Sequence, residues 1–442
     1  MADVQPFRAL RYNLEKIGNL SSAVCPPYDV ISAKEQIGYH ERNPYNVIRL
    51  EFGLERPEDS TGDNKYTRAS QTLDAWLREA ILIREERPAF YLVGHRFPHQ
   101  NTMRSRLSLM ARVRLEDFGT GHIRPHEMTM KGPAIDRFRL LQACRANLSP
   151  IMGIFRHGAA MGSLSAEVAR NSPNLSATDD HEVVFNVWIV NQDDKIAQLS
   201  DLLADKTIYI ADGHHRYETA LAYQRHVRST RSPYTGHEAF NFVMMALNDA
   251  DDPNLTVFPT HRLVKGLARA KIDSLEKNLS AFFAVSQLPP LATSEETLQN
   301  WLNVLAERGK RRRAFGLYGL HGHNLALLEA REEGALQQAM PQDLATPVRS
   351  LDVSILQWLV VRRMLGIDSR EQEERCLNYT RDGSEALSGV AAGTWQLAFL
   401  LNPTPVSSVL AVADARARMP QKSTYFYPKT VTGLVMNPLW DD

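Results

Sequence analysis

Five consecutive residues, Asp212-Gly213-His214-His215-Arg216, concentrate much of the chain's potential chemistry in one turn. Gly213 can take backbone angles that a Cβ resists, which lets the chain turn sharply and bring its amides close to a ligand. Before the cluster, Thr207, Ile208, Tyr209 and Ile210 suit a buried strand. After it, Tyr217, Ala220, Leu221 and Gln224 recur at helical spacing. The pattern predicts strand, tight turn, helix. The start of such a helix attracts anions, because its amides face outward and its dipole favours negative charge. A phosphate is the natural guest, with Arg216 as a two-pronged partner. A purely structural reading stands beside this one, with Asp212 as an N-cap, Gly213 as a turn residue and His214 and His215 as polar surface residues.

A second cluster runs through Arg124, His126, Glu127, Thr129 and Lys131, stiffened by Pro125 and Pro133. Prolines restrict the backbone, so these polar groups are expected to be held in place. Glu127, beside a histidine and two cations, suits a general base or a metal ligand acting through water; the alternative is a solvated loop that pairs with itself. Asp29 follows Pro26-Pro27 and precedes a helix opened by Ser32 and Glu35, spaced as a capping box. It is either a functional carboxylate or turn chemistry. His261 and Arg262, where a strand meets polar residues, would add donors to a phosphate site or be structural. The stretch 419–429 carries Lys422, Lys429, two hydroxyls and three aromatics between prolines. It would close over a nucleotide or an anionic substrate, or else pack as an aromatic strand; it lacks the glycines of a P-loop.

The elements that must position these groups follow from periodicity. Val47 to Phe52 alternates apolar and polar like a half-buried strand. Tyr66, Ala69, Leu73, Trp76 and Ile81 share one helix face. Residues 90–93 and 107–113 read as paired strands, 134–146 as a helix, and 151–155, 183–190 and 242–247 as further strands, an α+β pattern. From residue 266 the composition shifts to charged amphipathic helices and short strands. Lys310-Arg311-Arg312-Arg313 reads as a solvated turn.

With 442 residues and 43% hydrophobic content, the chain is long enough for two or three domains. Lys plus Arg and Asp plus Glu number 51 each, so the bulk positive field of a nucleic-acid binder is missing. Cys25, Cys144 and Cys376, odd in number and far apart, read as buried thiols in a reducing compartment. No apolar run approaches the roughly 20 residues that span a bilayer. The expectation is a soluble cytoplasmic protein with no membrane or nucleic-acid partner; its oligomeric state is not encoded in any motif.

Several segments together resemble the bacterial domain-of-unknown-function family 1015: Cys25-Pro26-Pro27-Tyr28-Asp29-Val30-Ile31, Asn43-Pro44-Tyr45-Asn46-Val47-Ile48-Arg49-Leu50, Pro125-His126-Glu127-Met128-Thr129, 211–220, Pro259-Thr260-His261-Arg262 and 419–429. A shorter stretch, Gly213-His214-His215-Arg216 followed by Ala220, is similar to the phosphate-binding box of the ParB and sulfiredoxin superfamily, and Asp-Gly-His-His-Arg most resembles its free-serine kinases. The resemblance implies a fold with a ParB/sulfiredoxin-like nucleotide-binding core and additional α+β lobes. The spans are expected as 1–155, an N-terminal region contributing to the site, 156–265, the phosphate-binding core, and 266–442, a C-terminal lobe. It also implies a magnesium-dependent kinase that moves a phosphate from ATP or ADP to a small hydroxylated metabolite, free L-serine foremost. Asp212 would serve magnesium and catalysis, and His214 or His215 the transferring oxygens. The upstream glutamate that acts as base in those kinases is not placed by spacing, since Glu127 lies 85 residues before Asp212; Glu127 is assigned the hydroxyl proton from its own surroundings. Gly213, Arg216, His261, Arg262, Lys422 and Lys429 would hold phosphate or nucleotide, and Asp29, His126 and Thr129 the substrate. A nucleotide-sensing module without chemistry and a metal-dependent phosphohydrolase remain alternatives. His214 stands where sulfiredoxin has its cysteine, which argues against sulfinic-acid repair.

Overall fold

Strict alternation along a strand sends successive side chains to opposite faces of a sheet, and here both faces are apolar. A computed structural model describes residues 2–99, 102–119, 121–128, 131–156, 159–204, 206–230 and 233–440. These residues gather into two units, one built from 2–125, 131–256 and 426–440, the other from 126–128 and 257–425.

In the first unit the elements that matter are β1 (Val4–Gln5), α1 (Ala33–Arg42), α2 (Ile48–Glu51), α3 (Lys65–Arg78), β2 (Phe90–His99), β3 (Thr102–Arg114), β4 (Ile123–Pro125), α4 (Lys131–Cys144), β5 (Ile151–Phe155), β6 (Leu175–Thr178), β7 (Val184–Val190), β8 (Ile208–Asp212), α5 (His214–Thr230) and β9 (Phe242–Asp249). Nine strands form one mixed sheet in the order β4-β8-β5-β9-β3-β2-β7-β6, with β1 on β3. The β8–β4 and β9–β5 pairs are parallel and the other pairs antiparallel. Strands from 1–155 and from 156–249 therefore share a single sheet, while 261–264 belongs to the sheet of the second unit. Alternation divides its side chains between two cores. Tyr91, Val93, Met244 and Ala246 join one core with Leu73 and Trp76 of α3. Phe90, Leu92, Val243, Met245 and Leu247 join the other with Tyr217, Ala220 and Leu221 of α5. A sheet covered on both faces explains why 242–247 is apolar throughout.

The second unit is organised by a six-stranded antiparallel sheet. Its strands are β10 (His261–Val264), β11 (Phe283–Leu288), β12 (Ala314–His321), β13 (Asn324–Ala330), β14 (Leu377–Thr380) and β15 (Leu397–Leu400), in the order β11-β13-β12-β15-β10-β14. Trp301 and Leu305 of the helix Ser294–Gly309 close its core against Leu263, Leu325 and Ala398.

Several local readings hold. Ser32 and Glu35 form the capping box at the start of α1, 90–93 and 107–113 lie in the antiparallel pair β2–β3, and all three cysteines are free and buried. The stretch from Val47 to Phe52 is a correction: it is helical over Ile48–Glu51, not a strand. Two forces outweigh its six-residue alternation. Asn46, fully buried, accepts from the Ile48 N–H at 2.9 Å and donates to the carbonyls of Ser22 (2.7 Å) and Val24 (3.0 Å). Val47, Ile48, Leu50 and Glu51, all buried, share the inward side of a single turn.

Asn46→Ala would leave three backbone groups without this partner, two of them buried. Each orphaned group costs roughly 1–3 kcal/mol, so the variant should lose about 3 kcal/mol in urea unfolding; a loss under about 1 kcal/mol would show that Asn46 does not organise this turn.

Candidate active site

The turn takes shape as expected. β8 ends at Asp212, Gly213 turns with φ of 90°, and α5 begins at His214. Against β5 the register shifts between Ile210, opposite Gly153, and Asp212, opposite Met152. Such a bulge adds one residue to one strand and re-aims the side chain beyond it. Gly213 answers a second demand besides its dihedral angle: a Cβ there would lie 2.9–3.0 Å from the Arg216 guanidinium packed beneath it.

Arg216 turns inward and is largely buried. Its Nη2 pairs with Asp212 Oδ2 at 2.6 Å, and its Nη1 donates to the Pro150 carbonyl. Burial opposes its charge, but Asp212, Asp29, Tyr28 and Glu51 outweigh burial and hold its pKa above the ordinary value. The other Asp212 oxygen, Oδ1, meets Lys429 Nζ at 2.9 Å, and the same ammonium pairs with Asp29 Oδ2 at 2.5 Å. Two carboxylates thus converge on one cation. Lys429 is held from both sides, since Arg106, 2% exposed, donates to the carbonyls of Tyr427 (3.3 Å) and Pro428 (3.0 Å), while His95 Nε2 lies 3.0 Å from Thr430 Oγ1. His95 faces Arg106 across β2 and β3. Burial first, then Arg106, hold its imidazole neutral, well below the usual pKa. His214 is buried and His215 half-buried at the start of α5. The first-turn amides of a helix of this length face anions.

Beside Arg216 lies a buried group that the sequence reading missed. Glu51 is 2% exposed; its Oε1 accepts from Ser149 Oγ at 3.0 Å and lies 3.8 Å from Arg137 Nη1. Burial raises its pKa, against the opposing pull of Arg137, Arg216 and the Ser149 hydroxyl. Arg137 spends Nε and Nη2 on Asp136, donates Nη1 to the Glu51 carbonyl, and stacks 4.0 Å over the Tyr28 ring. Desolvation lifts the Tyr28 phenol to about 12. A helical reading of 47–51, with apolar residues at i, i+1 and i+3, would have turned Glu51 inward.

The second unit holds the remaining sequence candidates. Glu127 Oε1 accepts from the Lys422 N–H at 3.1 Å. His126 is fully buried, with Nε2 3.2 Å from Thr424 Oγ1, and its carbonyl accepts from the Met419 N–H at 2.7 Å. The 419–424 segment therefore holds 126–128 by backbone and side chain together. Thr129 lies outside the described residues. His261 and Arg262 are each 1% exposed. His261 Nδ1 accepts from the Leu401 N–H at 3.2 Å; Arg262 donates to the carbonyls of Thr260 and Lys422. These bonds serve the interior of the unit, so a pair of outward phosphate donors is not what this geometry offers. Among the described residues, no group of three or more His, Cys, Asp or Glu has the arrangement of a metal site, and no helix is long and apolar enough to cross a membrane.

A mixed α+β chain with several sheets and a strand–glycine–helix turn is thereby defined. The chain belongs to the DUF1015 family, described as proteins of unknown function, whose pattern matches residues 4–354. No curated protein matches it. Among solved structures, a conserved hypothetical protein from Pyrococcus furiosus is 14% identical, with 71% of this chain and 92% of that one covered, at a TM-score of 0.32. A free serine kinase in complex with AMP is 13% identical, covering 72% and 88%, at 0.34. SbnI with a C-terminal truncation, from Staphylococcus aureus, is 9% identical, covering 73% and 85%, at 0.35. At such scores the functional reading rests on this chain's own residues.

The His261 environment predicts an acid sensitivity. Burial first, then Arg262, lower its folded pKa to about 4, against about 6.5 unfolded. The unfolded chain binds the extra proton, so stability is unaffected above about pH 6.5 and falls as pH drops from there to 4, by about 3 kcal/mol in all. Denaturant melts across this range should show the slope, and His261→Gln should flatten it; an unchanged slope in the variant would place the proton elsewhere.

Proposed function

We propose that this protein is a phosphotransferase that moves a nucleotide phosphate to a small hydroxylated metabolite, with free L-serine the first acceptor to test. One observation carries the reading: a partly exposed carboxylate, Asp212, sits at the junction of β8 and a long helix, oriented on both oxygens by cations. Phosphoryl transfer asks mainly for positioning and charge neutralisation, and the start of α5 offers amides to phosphate oxygens. Arg216, turned inward, sets the aim of Asp212. In this reading Lys429 faces phosphate charge, and His214 or His215 meets the transferring oxygens.

Asp29 and Asp212 converge on a single cation position, now taken by the Lys429 ammonium. With Lys429 turned to the phosphates, the two carboxylates would be open to magnesium, which binds through one or two carboxylates and completes its shell with water and phosphate oxygens. Bound there, the metal would neutralise charge on the nucleotide. Glu127 is the proposed proton acceptor. The Lys422 amide orients its carboxylate. The acceptor oxygen forms the new bond to phosphorus, the bond to the nucleotide leaving oxygen breaks, and the hydroxyl proton passes to Glu127.

The test is ³¹P NMR of the protein with ATP or ADP, magnesium and L-serine. Serine-dependent phosphoserine supports transfer. Free phosphate alone would mean a phosphohydrolase, and binding without turnover a nucleotide sensor. Asp212→Ala should lose roughly 10²–10³ in rate, the usual cost of removing a transition-state charge contact, with circular dichroism unchanged. Full turnover in that folded variant would sink the assignment.

A further inference from the structure

Behind Arg216 lies a cavity of about 50 Å³ lined by Glu51, Arg137, Ser149, Arg216 and Thr219 on its polar side and by leucines on the other. At roughly 10–15 Å³ per water, it has room for three to five water positions, too few for a nucleobase. Thr219 stands one turn along α5 from Arg216 and is 4% exposed. A helical threonine commonly turns its hydroxyl back to the preceding turn's carbonyl; this hydroxyl is buried and meets no hydrogen-bond partner among the described residues. A buried hydroxyl without a partner marks a place where something else supplies one.

The charges decide what that is. Arg137 is answered by Asp136, and Arg216 by Asp212. Glu51 is the carboxylate of the cavity wall, met by the Ser149 hydroxyl, the Tyr28 backbone and, at longer range, Arg137 and Arg216. Glu51, Ser149 and Thr219 together present three oxygen acceptors, matching the three donors of a primary ammonium. Arg216 also lines the small crevice formed with Asp212 and Lys429, so the cavity and that crevice share one wall.

We propose that this cavity is the acceptor's seat and that it takes a small hydroxylated amine, with the ammonium on Glu51, Ser149 and Thr219 and the hydroxyl directed to Asp212. The assignment of this molecule as phosphate acceptor rests on the kinase reading; the binding site itself does not. The experiment is saturation-transfer NMR on the full chain without nucleotide, using L-serine, ethanolamine and glycerol as probes. L-serine and ethanolamine should bind and glycerol, which lacks the ammonium, should not. Thr219→Val, which keeps the shape and removes the hydroxyl, should weaken amine binding about tenfold. Thr219→Leu, which fills the space, should abolish it, and Thr219→Ser should restore it, with AMP binding unchanged in all three. Amine binding that survives Thr219→Leu, binding of glycerol alone, or no binding of either amine would overturn the site, the last leaving only ordered water in the cavity. Amine binding without phosphate transfer would keep the site and remove the kinase reading. Transfer with an acceptor KM indifferent to Thr219→Leu would keep the kinase reading and remove the site.

Discussion

A guanidinium taken out of water must find its counter-charge inside the protein, and the first unit is arranged around meeting that need for Arg216. A buried charge left unpaired is strongly destabilising. Asp212 and the Pro150 carbonyl meet the two ends of the guanidinium, Lys429 meets the second Asp212 oxygen, and Asp29 meets Lys429. Each partner needs the next, so four side chains from three distant stretches of the chain become one ordered set. Gly213 belongs to the same constraint, because any side chain there would occupy the space the guanidinium fills.

The sheet makes this arrangement stiff. β8 lies between a parallel and an antiparallel neighbour, and the register break just before Asp212 sits where the chain leaves the ladder. Gly153, across from Ile210, has no room for a Cβ between Leu247 and Ile208, so the strands beneath the turn pack as tightly as the turn itself. Arg106 and His95 brace the backbone around Lys429 from two adjacent strands. Precision at a site of this kind comes from side chains whose own positions are locked by neighbours.

Sequence periodicity exposed most of this architecture because strands and helices with one or two apolar faces announce themselves. The turn at 212–216 was legible because strand, glycine and helix signals coincide there. Glu51 was not, since a polar residue in a short alternating stretch reads as solvent-facing, and the hydrogen bonds of the Asn46 side chain and the packing of Ile48 and Leu50 turn it inward. Lys429 was recognisable as a basic residue in a stiff segment, yet its partnership with Asp29 spans 400 positions and no local rule reaches so far. His261 and Arg262 show the converse: a His-Arg pair at a strand end looks like a pair of outward donors, and only the fold reveals that both side chains are buried.

Lys429 enters the first unit on the segment 426–440, after residues 257–425 have built the other unit. During synthesis Asp29, Asp212 and Arg216 emerge first, two carboxylates with one guanidinium between them, and the second cation comes only when residue 429 leaves the ribosome. At the elongation rates of about 5–20 residues per second, the roughly 217 residues from Asp212 to Lys429 take on the order of ten to forty seconds to make. The same late segment carries Val431, Leu434, Val435 and Met436 into the core, so completing the charge set and closing the core of the first unit wait on one stretch of chain.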